Sequence, residues 1–174
     1  IGVSTSINLK FDSNTHKLLI NPIIIPSSGV TTSTNNFNFN SHNFTTGSKV
    51  QYISTSISEG LTNQESYYVY KVDDNNFKLG ETYSDVTNNP ANIIELSSIG
   101  NNHEFSLVNP PIPVYKNNNL VFGVGHTSLL GYELEIYYDK DFKNKFVSVG
   151  NTTNFQVTGV GTVGVTSTAT VTLN

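Results

Sequence analysis

The sequence predicts an all-β protein, a β-sandwich into which a small β-barrel-like module is inserted. Three observations carry this. Val, Ile, Thr, Tyr and Phe dominate, while Ala occurs only at Ala91 and Ala169 and Met is absent, a balance that favours strands over helices. Strand-like runs recur about every 8–12 residues, the spacing of a sandwich or barrel. Two Asn-Pro breaks, Ile20-Asn21-Pro22-Ile23 and Val108-Asn109-Pro110-Pro111-Ile112, are near copies. Such a break at each end of a segment marks an insertion. The expected division is therefore 1–26 with 110–174 as the sandwich and 27–109 as the inserted module.

The elements follow in order. Residues 7–11, INLKF, alternate; DSNT turns; residues 16–20, HKLLI, return as a hairpin. Asn21-Pro22 is expected to break the ladder, since Pro lacks the N–H a strand must donate. A Ser/Thr/Asn tract fills 27–41. Strands are then predicted at 49–53, 66–72, 76–80, 92–96 and 103–108, with turns at Gly47, Gly60, 73–76 and Gly100-Asn101. Further strands are predicted at 119–124, 132–139, 145–150, 154–159 and 169–173. In YELEIYYD, Leu134, Ile136 and Tyr138 share one face and Glu133, Glu135 and Tyr137 the other. One apolar face should collect Leu120, Phe122, Leu134, Ile136, Phe146, Phe155 and Val157. No window has sustained 3.6-residue periodicity.

Composition excludes several classes. Cys is absent, so no disulfide, thiolate metal site or cysteine nucleophile exists. The 9 basic residues are all Lys against 13 acidic ones, which leaves no cationic patch for nucleic acid. The longest apolar run, 23–25, is far too short to insert in a membrane. Low net charge, −4, together with 9 Tyr and 10 Phe, argues for a folded chain rather than disorder. The chain starts at Ile1 without Met, as a processed or excised piece would.

Motifs with a chemical reading resolve to structural ones. GVGTVG, 159–164, fits a dinucleotide-binding pattern, but that needs a helix and a later acidic residue; VTSTATVTL follows, so a Gly-rich turn is expected. His16, His42, His103 and His126 lie one per segment, without metal-ligand spacing. His42 is expected to bond a loop carbonyl. Asp139, Asp141 and Asn144 begin like a calcium loop, yet Asn144 stands where Gly is required and Gly150 where Glu is required. Asp73 and Asp74 suit a hairpin tip. Glu133 and Glu135 face away from the apolar side, so they form no acid pair in a cleft. No catalytic, cofactor-binding or metal-binding residue is assigned.

Two segments carry a resemblance. In 42–79, His42, Phe44, Thr46-Gly47, Val50, Gly60-Leu61, Tyr67-Tyr68-Val69, Val72-Asp73-Asp74-Asn75 and Phe77-Lys78-Leu79 run in a distinctive order. This segment resembles β modules repeated in large virion structural proteins, tail or fibre, of T4-like marine cyanophages. Residues 110–150 look like the Ig-like or cupredoxin-like sandwich unit of the same proteins. The resemblance implies an extracellular, non-enzymatic virion component. A copper site does not carry over to this segment, since of the Cys, His and Met such a site uses, 110–150 holds only His126.

The functional expectation is thus a structural module of an extracellular assembly, located in a virion or outside the cell. Its partners are copies of itself, adjacent repeats or neighbouring virion proteins. The alternative is a subunit of a cellular surface adhesin or secreted filament. A third class, an accessory domain of a carbohydrate-processing enzyme, would show converging acids. The candidate recognition surface is Tyr67, Tyr70, Tyr137 and Tyr138, with cell-surface carbohydrate as the ligand that aromatic rings would suit. Asn43 and Asn151 head glycosylation sequons. Residues 1–11 and 160–174 are Val/Ile/Thr-rich and poor in charge. They are expected to be sticky terminal strands that pair with a neighbour, the alternative being that the two termini pair within one sandwich and close it.

Overall fold

The computed structural model describes residues 4–112, 119–132, 137, 141, 143, 144, 157–161, 163–166 and 170–173. The fold is all-β, as the sequence predicts. The chain divides into two compact units: 1–18 with 111–174, and 19–110. The sequence starts the module at residue 27. The unit starts instead at Leu19, because Leu19–Ile25 pair with His103–Val108 of the same unit.

In unit 1 the described strands are β1 (Ser4–Asp12), β9 (Asn119–Gly123), β10 (Val157–Val160) and β11 (Thr170–Leu173). They lie in the order β10-β11-β9-β1. β1 runs parallel to β9, Ile7 opposite Phe122; β11 is antiparallel to both β9 and β10. Ile7, Leu9, Leu120 and Phe122 are buried. Of the other residues expected on that apolar face, Val157 opens β10, while Leu134, Ile136, Phe146 and Phe155 lie outside the described residues. So do the predicted strand at 145–150 and nearly all of 132–139. Gly161 and Gly164, at φ 80° and 70°, turn the chain between β10 and β11. The glycine-rich stretch is therefore followed by a strand, not by the helix a dinucleotide site requires.

One expectation fails here. The strand near the C-terminus is not an open edge: β11 has a partner on each side, and β1 is paired with β9. The outermost strand of this unit among the described residues is β10.

Unit 2 contains most of β2 (Lys17–Ile25), then β3 (Val30–Thr31), β4 (Asn36–Asn38), β5 (Lys49–Ile53), β6 (Ser66–Lys71), β7 (Asn76–Gly80), helix α1 (Tyr83–Thr87) and β8 (His103–Val108). The strand order is β2-β8-β5-β6-β7-β4-β3. β2 and β3 stand at the two ends of this order, yet only a single 3-10 turn, Ser27–Gly29, separates them in sequence. The sheet therefore curls back on itself around one core. Phe37, Phe77, Phe105 and Tyr52 are fully buried there, with edge-to-face contacts between Phe37 and Phe105 at 4.8 Å and between Phe77 and Phe105 at 5.2 Å.

Three local readings change. Asn21-Pro22 does not end β2; it forms a bulge, with the register shifting between Ile20 and Ile23. The 27–41 tract is not featureless but holds two 3-10 turns and the short strands β3 and β4. Residues 92–96 are not a strand, because their N–H groups have no common partner strand. Asn92 donates to Asp85 O, Ile94 to Leu79 O and Leu96 to Asn35 Oδ1.

Candidate functional site

The β6–β7 hairpin positions the aromatic candidates. Alternation along β6 puts Tyr67 and Val69 inward and Tyr68 and Tyr70 outward. Tyr67 is buried and its hydroxyl accepts the Thr62 N–H at 2.7 Å. It is thus a core residue that also fixes a loop, and it leaves the recognition candidates. Tyr70 stays half-exposed opposite Lys78. Tyr137 is half-buried in unit 1. Tyr138 and Asn151 lie outside the described residues. Asn43 is exposed at φ 58°.

One exposed ring the sequence reading missed is Tyr83, at 58% exposure. It opens α1, whose start is fixed by a capping box. Thr82 Oγ1 accepts the Asp85 N–H and the Asp85 carboxylate accepts the Thr82 N–H. Thr82-x-x-Asp85 is a readable signal for that turn. The Tyr83 ring lies against Gly47, where a Cβ would meet Cε2 at 2.6 Å, and Gly47 holds φ 88°. Only glycine meets both demands. Tyr68 meets Tyr83 edge-on at 6.1 Å, and Lys49 Nζ stands 5.8 Å over the Tyr68 ring. The result is a half-exposed aromatic strip, Tyr83, Tyr68 and Tyr70, flanked by Lys49 and Lys78. Such rings accept apolar faces and cations.

Several ionisable groups are engaged in holding backbone. Asp73 Oδ1 accepts the N–H groups of Asn75 and Asn76, and the Asn76 side-chain amide bonds both of its oxygens. These bonds, the Asn76 amide first, hold its pKa below the usual carboxylate range. Asp74 is held low by Lys71, 2.7 Å away. Asp85 is held low by Thr82, through its hydroxyl and then its N–H, and by Asn92. Asp12 caps the first hairpin through Asn14 N and Thr15 Oγ1. His126 Nδ1 accepts the Ser128 N–H at the start of a 3-10 turn.

His42 does what the sequence suggests. Its Nε2 is 2.9 Å from the Asp73 carbonyl, which can only accept, so Nε2 carries the hydrogen; Nδ1 then accepts the Phe44 N–H at 3.0 Å. His103 was missed. HEFSLV alternates, and that alone puts His103 on the same face as Phe105 and Leu107. It is fully buried, and its Nδ1 is 2.9 Å from the Tyr52 hydroxyl.

An open cleft of about 280 Å³ is lined by Glu81, Asn92, Ile93, Ile94 and Glu95. Among the described residues no group of three or more His, Cys, Asp or Glu is placed to hold a metal ion.

Most of the residues that give 42–79 its distinctive order are core and turn residues. Phe44, Val50, Leu61, Tyr67, Val69, Phe77 and Leu79 are buried. His42 and Asp73 fix the hairpin tip. Gly47 and Gly60 hold positive φ where a Cβ would strike Tyr83 or the Glu95 carbonyl. Comparison with family models, curated proteins and solved structures finds no match.

Proposed function

We propose that this chain is a non-catalytic structural module of an extracellular assembly, of the virion tail or fibre kind, and that it associates through a strand edge. The observation that carries this reading is the use made of the side chains that do chemistry elsewhere. Asp12, Asp73, Asp85, His42, His103 and His126 each bond backbone groups or core side chains and so fix turns, caps and loops. A module selected for rigidity needs exactly this arrangement, whereas an acid–base catalyst needs such groups aimed at a substrate.

The edges favour a direction of association. Unit 2 ends in β3, only two residues long and bounded by 3-10 turns on both sides, a blunted edge. In unit 1, β10 reads Val-Thr-Gly-Val, with neither charge nor proline, and pairs β11 along one side. Among the described residues β10 is the outermost strand of unit 1, and an unblunted edge of this kind suits addition of a strand from a neighbouring copy or repeat.

A second reading, a cellular adhesin subunit, is favoured by the exposed Tyr83–Tyr68–Tyr70 strip, whose rings suit a saccharide face. Immunogold electron microscopy of native material with an antibody to 19–110 tests both. Regular labelling along extracellular particles or their fibres supports the first reading. Labelling of cell-bound filaments supports the second, and the chain found only as free monomer removes both.

A further inference from the structure

We propose that unit 2 contains an acid-operated latch, in which protonation of His103 releases the loop around Ser54–Glu59 from the aromatic core. The geometry is specific. The Ser58 N–H donates to the Tyr52 hydroxyl oxygen at 3.1 Å, which leaves the Tyr52 hydrogen for His103 Nδ1 at 2.9 Å. The neutral ring therefore carries its hydrogen on Nε2, which is buried and makes no hydrogen bond. Ser58 Oγ bonds the Ile99 carbonyl at 2.7 Å, Ser54 Oγ bonds the Asn101 carbonyl at 2.6 Å, and Asn101 N–H bonds the Ser56 carbonyl at 2.8 Å. Gly100 is pressed against the His103 ring, where a Cβ would meet Cε1 at 2.7 Å, and against Ile57. Loop, glycine turn and imidazole form one unit, with Ile57 and Ile99 each 46% exposed on its outer side.

A proton on Nδ1 breaks this unit. Tyr52 must turn its hydrogen away and leave it without an acceptor, and the Ser58 anchor goes with it. The imidazolium would sit between the Phe37 and Tyr52 rings. Among the described residues no counter-charge faces the ring: β2 offers Ile25 opposite His103, β5 Tyr52, β4 Phe37, and the 97–101 turn backbone. On β8, Glu104 alternates to the opposite face, where it bonds Ser106 Oγ. Burial accordingly depresses the His103 pKa, with the Ile99 carbonyl acting in the opposite sense from beyond hydrogen-bond geometry.

The sign follows. Opened protein takes the proton below about pH 6.5, while the closed form stays neutral until its lower pKa is reached. The latch is thus fully closed above about pH 6.5. In the window below it, the opening constant rises up to about tenfold per pH unit.

Hydrogen exchange of the full chain, corrected for the pH dependence of intrinsic exchange, tests this. Amides of 54–60 and 99–103 should lose protection between pH 7 and pH 5 while β6 and β7 keep theirs. His103→Gln, folded at pH 7 by circular dichroism, should lose this pH dependence. An unchanged pH response in that variant overturns the proposal, as does wild-type protection that is flat with pH. If the variant does not fold, the wild-type imidazole decides. NMR should show the Nε2–H tautomer, with protonation coincident with loss of 54–60 protection. Protonation of His103 with the loop still protected overturns the latch.

Discussion

Asn21, Asn35, Asn43, Asn102 and Asn109 all hold φ between 45° and 58°. Asn reaches this left-handed region more readily than other side chains with a Cβ, which gives the Asn-rich composition a backbone purpose. The two Asn-Pro echoes are such sites, at 49° and 45°. They are legible as punctuation, but not as a bulge in one case and a strand end in the other. That difference depends on which strand lies alongside. Tyr52 is the residue where one atom matters most. Tyr52→Phe leaves the Ser58 N–H and His103 Nδ1 buried without partners, a loss of about 1–3 kcal/mol by urea denaturation. A loss under about 0.5 kcal/mol, an ordinary surface effect, would show that the network contributes nothing. Tyr67 was misread for a physical reason. With aromatics on both faces of SYYVYKV, alternation gives two faces without saying which one the sheet curls around.

The β6–β7 hairpin is the element most legible in the sequence, because Asp73–Asn76 can only be a tip between two apolar runs. Its acid response has a definite sign. The folded-state pKa of Asp73 is depressed, so its contribution is fully present above about pH 4 and is lost as pH falls through the folded value. On acidification the Asn75 and Asn76 amides should lose exchange protection before the β6–β7 ladder does, and Asp73→Asn should remove that step. Equal protection of tip and ladder down to global unfolding would contradict the capping role. Residues 92–96 have strand composition but scattered partners, and composition says nothing of partners. Helix α1 is five residues long, too short for any helical period to register; only its capping box was available to find it.

At the scale of the whole molecule, all-β class and a mid-chain unit were legible from strand rhythm and the paired breaks. Strand order was not, since pairings such as β1 parallel to β9 join residues over a hundred positions apart. The unit 2 core depends on its packed rings, so Phe37→Ala should cost about 3–5 kcal/mol. A loss below about 1 kcal/mol would mean that Phe37 does not knit β4 to the rest. Pairing on both sides of β11 leaves β10 as the outermost strand of unit 1 among the described residues, and we propose that copies of the chain join there. Sedimentation of the full chain across a concentration series, beside Thr158→Lys, tests it most directly, because a lysine opposes edge-to-edge pairing. Concentration-dependent assembly of the wild type and a folded, monomeric variant are expected. Wild-type chain that stays monomeric throughout, or assembly unchanged by the lysine, would contradict it.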